Sequence, residues 1–133
     1  LEARYRLPNS LDAFAAVTYV DSRDGWETNL RFVPKFAVAG GAAKMLGPVT
    51  ISGVIHYRGA TAGRLQDVSS HATADLSVAY QKPAARIRHV LAVKNVANQL
   101  TYFPEYVRQT GPILNELPSN DHRSIVYSVQ VRF

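Results

Sequence analysis

The last ten residues limit what this chain can fold into more than any other stretch. In Ser124-Ile125-Val126-Tyr127-Ser128-Val129-Gln130-Val131-Arg132-Phe133 the odd positions are Ile, Tyr, Val, Val and Phe. The even positions include Ser, Ser, Gln and Arg. Successive side chains of a strand point to opposite sides, so this segment has one wholly apolar face and one largely polar face.

The same period of two recurs along the chain, and no segment carries a convincing helical period. Leu1 to Leu7 sets Leu1, Ala3, Tyr5 and Leu7 against Glu2, Arg4 and Arg6. Leu11 to Val20 and the small-residue run Phe36 to Leu46 follow, the latter with Lys44 on its otherwise apolar side. Val49 to Arg58 sets Val49, Ile51, Ile55 and Tyr57 against Thr50, Ser52, His56 and Arg58. Ala74 to Gln81 sets Leu76, Val78 and Tyr80 against Asp75, Ser77 and Ala79. Arg86 to Asn95 sets Ile87, Leu91 and Val93 against Arg88 and Lys94, with His89 awkwardly on the apolar side. With the terminal run these make seven strands.

The connections sort by length. Pro8-Asn9-Ser10, Gly47-Pro48 and Lys82-Pro83-Ala84-Ala85 are tight and made of turn residues. Residues 21–35, 59–73 and 96–123 form long polar connections, and short alternates with long throughout. A soluble sandwich has no reason to sort its loops by strand end, whereas an outer-membrane barrel has short periplasmic turns and long outer loops. On that reading Phe133 ends a descending strand at the periplasmic interface, where aromatic rings are enriched. Tyr19 and Tyr57 then fall near the outer girdle, and Tyr5 and Tyr80 near the inner one.

Composition enters as a check. The chain is 47% hydrophobic and 19% charged, with a mean hydropathy of -0.11. A barrel wall alternates lipid-facing and lumen-facing residues, so an unremarkable average fits it. The net charge of +5 and pI near 9.7 would suit nucleic acid, but the basic residues are interspersed singly within strand-like runs. No nucleic-acid partner is expected. The chain has no cysteine, which excludes disulfides, thiolate metal sites and a cysteine nucleophile.

Several local patterns, in this order, resemble the C-terminal barrel of TonB-dependent outer-membrane receptors. Leu11 to Ser22 is similar to the family's strand ending in Tyr-x-Asp, and Phe32-Val33-Pro34-Lys35 to its Val-Pro-basic approach to the next strand. Ala74-Asp75-Leu76-Ser77-Val78-Ala79-Tyr80 resembles its Asp-Leu-Ser-x-x-Tyr strand. Val93-Lys94-Asn95-Val96-Ala97-Asn98 followed by Tyr102 resembles Val-x-Asn-Leu-x-Asp…Tyr, the most specific piece. Ala97 and Lys44 depart from the pattern, since the family usually has aromatics there.

The resemblance implies an all-β, antiparallel meander contributing about seven strands to a barrel of about 22. The plug domain would lie outside these residues, as would the N-terminal barrel strands; Leu1 already opens in mid-alternation. The implied function is active uptake of a scarce nutrient such as an iron–siderophore complex, not enzymatic catalysis. The implied partners are outer-membrane lipid, the receptor's own plug and remaining strands, the TonB energy-transducing system through the plug, and the ferric siderophore itself.

Site residues follow from the last long connection, because ligand contacts concentrate on loops carried by a rigid scaffold. Tyr102, Phe103, Tyr106, Arg108 and Arg123 combine aromatic faces with guanidinium donors suited to an anionic or aromatic ligand. Tyr127, Val129, Val131 and Phe133 form the lipid-facing and assembly-signal set. His56, His71, His89 and His122 show no metal-ligand spacing, so no metal and no resident cofactor is expected, and His71 and His122 read as solvated loop residues. Asp67, Asp75, Glu105, Glu116 and Asp121 form no acid–base pair, and Ser69-Ser70-His71 lacks any nucleophile motif. Two rival architectures remain: a small self-contained barrel, whose first and last strands would pair, and a soluble sandwich, whose apolar faces would be covered.

Overall fold

The structure is a computed structural model that describes residues 1–8, 10–21, 33–63, 65–104, 115–119 and 122–132. Among these there are nine strands and no helix. Seven build one antiparallel sheet in the order β1 (Glu2–Leu7), β2 (Leu11–Tyr19), β3 (Phe36–Leu46), β4 (Val49–Arg58), β5 (His71–Tyr80), β6 (Ile87–Lys94) and β9 (Ser124–Val131). A short hairpin, β7 (Tyr102–Pro104) with β8 (Glu116–Pro118), stands apart. Each strand of the main sheet pairs with its sequence neighbour in the meander, so the expected all-β antiparallel architecture is what the chain adopts.

Register converts alternation into two continuous surfaces. Direct pairs carry one face from Tyr5, Ala13, Ala42, Gly53 and Leu76 to Val93 and Ile125. Every position on that face is aliphatic, aromatic or glycine except Lys44 and His89. The opposite face holds Arg4, Arg6, Ser52, His56, Arg58, Asp75, Ser77, Lys94 and a strip of alanines on β3. The main hollows open on this polar side.

Among the described residues nothing covers the apolar face. Among the described residues the only buried hydrophobic side chains are Val68 and Ala79, and no side chain is fully buried. Ile55 is 60% exposed, Ile125 70% and Leu76 52%. The summed apolar exposure is on the order of 1,000 Å² or more, against ~300–600 Å² for the largest patch of a typical soluble monomer. A domain ordinarily buries each apolar face against a second layer. The described residues supply no such layer over the apolar face, which is the reverse of a sandwich. The strands β1 and β9 do not pair, so the sheet is open and is not a self-contained barrel.

The stagger of the sheet is quantitative. The row Leu11, Lys44, Ile51, Val78, Leu91, Tyr127 crosses from β2 to β9 in five strand-to-strand steps. It starts at the first residue of β2 but lies four residues inside the end of β9; at the other strand ends the offset is five. About one residue of slip per strand, at ~3.3 Å per residue and ~4.8 Å per strand, gives a tilt of about 30–35°. Closing a sheet into a barrel requires roughly 35–45°.

Connections alternate as expected. The turn after β1 carries Ser10 at φ 58, the turn after β3 carries Gly47 at φ 60, and the turn after β5 carries Ala84 at φ 61. Two expectations need correction. The alternation reaches back from Ala74 to His71, because Arg58 pairs with His71 and Tyr57 with Ala72. His71 is thus a strand residue on the polar face rather than a solvated loop residue. The 96–123 connection also contains the hairpin of β7 and β8, which joins no strand of the main sheet.

The two polar exceptions on the apolar face lie at equal depth. Lys44 is two residues from Leu46, the end of β3, and His89 is two residues from Ile87, the start of β6. Both are near the short turns. His89 is satisfied within the sheet: its Nδ1 and Tyr127 Oη are 2.7 Å apart, and the rings stack at 6.1 Å and 18°.

Candidate functional site

The described parts of the long connections meet at one end of the sheet. Gly59 donates its N–H to Phe36 O at 2.8 Å, and a Cβ at Gly59 would lie 2.9 Å from that same oxygen, so the close approach needs glycine. Thr61 exchanges backbone hydrogen bonds with Val68 at 3.0 and 2.9 Å and bridges Pro34; Thr61 and Val68 are both buried. Asn115 then ties this loop to the next, its Oδ1 accepting from Leu65 N–H at 3.1 Å and Gln66 N–H at 2.9 Å.

Behind that clamp the β7–β8 hairpin turns Phe103 toward the polar face. The Phe103 ring meets His71 edge-on, with centroids 6.1 Å apart and planes at 79°. The Arg58 guanidinium carbon lies 4.7 Å from the Phe103 centroid. Arg58 and His71 face each other directly across β4 and β5, so backbone register alone brings the two cation-capable groups together. A cation–π contact of this kind contributes about 0.5–2 kcal/mol, more as water is excluded.

Two hollows flank this trio. One of ≈ 300 Å³ lies between Ala16, Ala37 and Ala39 on one side and His56, Arg58 and His71 on the other. A second of ≈ 340 Å³ is bounded by His71, Asp75, Lys94, Asn95, Thr101 and Phe103. A third, ≈ 510 Å³, sits near the short turns beside Arg4, Arg6 and Phe14. There Arg6 pairs with Asp12 at 2.9 Å, but both side chains are more than half exposed, so the pair contributes little stability. Among the described residues no three of His, Cys, Asp and Glu converge as a metal site would need.

Of the residues expected to form the site, Phe103 alone joins Arg58 and His71. Tyr102, the preceding residue, borders another recess, which His71 also lines, with Ser69, Ser70 and Glu116. Arg123 is used structurally: its N–H donates to Asn98 Oδ1 at 2.9 Å and its Nη1 reaches Val96 O at 3.5 Å. Tyr106 and Arg108 lie outside the described residues, as do Glu105, Asp121 and Phe133. Tyr127, Val129 and Val131 are on the exposed apolar face. Sequence reasoning missed Arg58, His56 and His71. The signal was present in the polar odd positions His71, Thr73, Asp75 and Ser77 facing Ala72, Ala74 and Leu76.

The motif around Asn95 has a local physical cause. Asn95 directly follows β6, with φ 48, and is buried. Its Nδ2 donates to Gln99 O and its Oδ1 accepts from Gln99 N–H, both at 2.9 Å. Its own N–H donates to Asp75 Oδ1 at 2.8 Å. Asparagine tolerates the left-handed region and supplies both amide groups, so the strand stops there and the long connection leaves in a fixed direction.

Comparison of the chain with protein-family models, with curated proteins and with solved structures gave no match.

Proposed function

We propose that this chain is the C-terminal part of a transmembrane β-barrel in a bacterial outer membrane, and that the barrel is a TonB-dependent receptor for a scarce nutrient such as an iron–siderophore complex. The observation that carries the membrane reading is the continuous apolar face, uncovered among the described residues and backed by a polar one. Lipid satisfies such a face without a second protein layer. The stagger of about one residue per strand and the sorting of short and long connections support it further. Among the described residues the outer sides of β1 and β9 carry no partner strand, which supports a larger barrel whose other strands complete the wall, about 22 in all.

The receptor reading rests in addition on the motif ending in Asn95, whose side chain and backbone fix the departure of the last long connection. In this function the chain acts as wall and rim, without catalysis. The polar face meets water and the plug, the TonB system acts through that plug, and the long connections meet the ligand at the outer mouth.

Deletion of the gene in its own bacterium, with growth measured on single iron chelates as the only iron source, tests the receptor reading. The expected result is loss of growth on one chelate, matched by loss of the TonB system and restored by the intact gene. Unimpaired growth on every chelate, or uptake that persists without TonB, refutes it.

A further inference from the structure

The formal charge of +5 is concentrated at one end of the sheet. The three short connections, the three strand positions on either side of each, and the residues from Val129 onward hold six basic side chains and one acid. The bases are Arg6, Lys44, Lys82, Arg86, Arg88 and Arg132, and the acid is Asp12. That end carries the whole of the +5, because the other nine basic and nine acidic residues cancel. All six basic residues are exposed. Asp12 is taken by Arg6, the one ion pair at this end among the described residues. The Ala85 N–H donates to Lys82 O at 2.9 Å and closes the turn after β5, so Lys82 and Arg86 flank one tip. The Arg132 N–H donates to Arg86 O at 2.8 Å, which sets those two arginines opposite each other just beyond β6 and β9. Like charges directly opposite are destabilising, and an anion beside them relieves the repulsion. Lys44 stands on the apolar face two residues from the end of β3, about 7 Å along the strand. Its apolar stem can lie along that face while the ammonium reaches the strand end.

We propose that the short-turn end binds the headgroups of anionic phospholipid in the leaflet it meets. Lys44 on the apolar face, and Lys82 and Arg86 at the turn tip, receive the phosphates. Arg88 lies on the polar face, away from lipid. Each cation within a Debye length of an anionic bilayer surface adds to the attraction, and salt weakens it. The assignment rests on the membrane reading of the apolar face and is independent of the receptor reading.

Nitroxide-labelled phosphatidylglycerol and phosphatidylcholine are the probes, each added in trace to phosphatidylcholine vesicles that hold the full chain. The immobilised fraction of each spin signal measures that lipid's affinity for the protein surface. Phosphatidylglycerol should be preferred about two- to fivefold, averaged over the contacting lipids. Lys44→Gln combined with Lys82→Gln and Arg86→Gln should bring the two lipids to equal affinity. Arg4→Gln combined with Lys35→Gln and Lys94→Gln removes as many charges from the polar face and the other end, and should leave the preference intact. If the first triple variant fails to fold, by circular dichroism of its β-structure, the unaltered protein in about 1 M salt replaces it and should lose the preference. Equal immobilisation of both lipids by the unaltered protein overturns the proposal and keeps the membrane reading. A preference that survives about 1 M salt, or that both triple variants lose alike, also overturns it. No immobilised fraction for either lipid would remove the membrane reading and this assignment with it.

Discussion

Arginine in place of Leu76 separates a lipid-facing sheet from a water-facing one. Leu76 lies near the middle of β5, pairs with Gly53 and Val93, and is 52% exposed. Its Cδ2 packs over Gly53, where an added Cβ would come within 3.1 Å. If that face met water, Leu76→Arg would be a surface change of about ±0.5 kcal/mol. If it meets hydrocarbon, a central arginine costs about 2–4 kcal/mol, a shift of roughly 30- to 1,000-fold in the folding equilibrium. Val49→Arg, at the short-turn end of β4, should cost only about 0–1 kcal/mol, because depth sets the penalty. Ser128→Arg, on the polar face of β9, should cost as little. Denaturant unfolding of the vesicle-embedded protein measures all three. Equal costs for Leu76→Arg and Ser128→Arg would refute the assignment of faces.

Three further outcomes follow from particular contacts. Tyr127→Phe leaves His89 Nδ1 without its hydroxyl partner on the apolar face and should destabilise the embedded protein by about 1–3 kcal/mol, whereas Tyr127→Phe with His89→Leu should be near neutral; single and double variants unfolding alike would count against the pair. Asn95→Ala removes both Gln99 contacts and strains a φ of 48, so a loss of about 2–4 kcal/mol is expected, with Asn95→Asp retaining more stability than Ala in the same denaturant titration. Asn115→Ala should raise hydrogen exchange at the Leu65 and Gln66 amides while β3 and β4 amides keep their protection.

How much of this was legible in the sequence depends on what a period of two encodes. It assigns each residue to a face, and so the apolar and polar sets of five of the seven main strands, and the awkward positions of Lys44 and His89, were visible in advance. It does not encode height. That Leu11 shares one cross-strand row with Lys44 and Tyr127 emerges only from pairing, and with it the tilt; the equal depth of Lys44 and His89 emerges from where the strands end. The site was less legible still. The meeting of Phe103 with Arg58 and His71 joins residues from β4, β5 and a hairpin inside a long connection, none of which announces the others locally. Asn115 Oδ1 reaches amides 49 and 50 positions away, a contact no local pattern implies. Reading β5 from Ala74 hid His71, because Ala72 and Thr73 are weak strand signals until Tyr57 and His56 pair with them.

The uncovered apolar face is the centre of the account, and site-directed spin labelling tests it most directly. The chain has no cysteine, so single cysteines can be introduced at each position from Val49 to Arg58 and labelled individually. In phospholipid vesicles, odd-numbered labels should be accessible to dissolved oxygen and shielded from a polar nickel reagent, most strongly near Gly53. Even-numbered labels should show the opposite preference. Uniform accessibility to the polar reagent at odd and even positions would contradict a lipid-facing sheet.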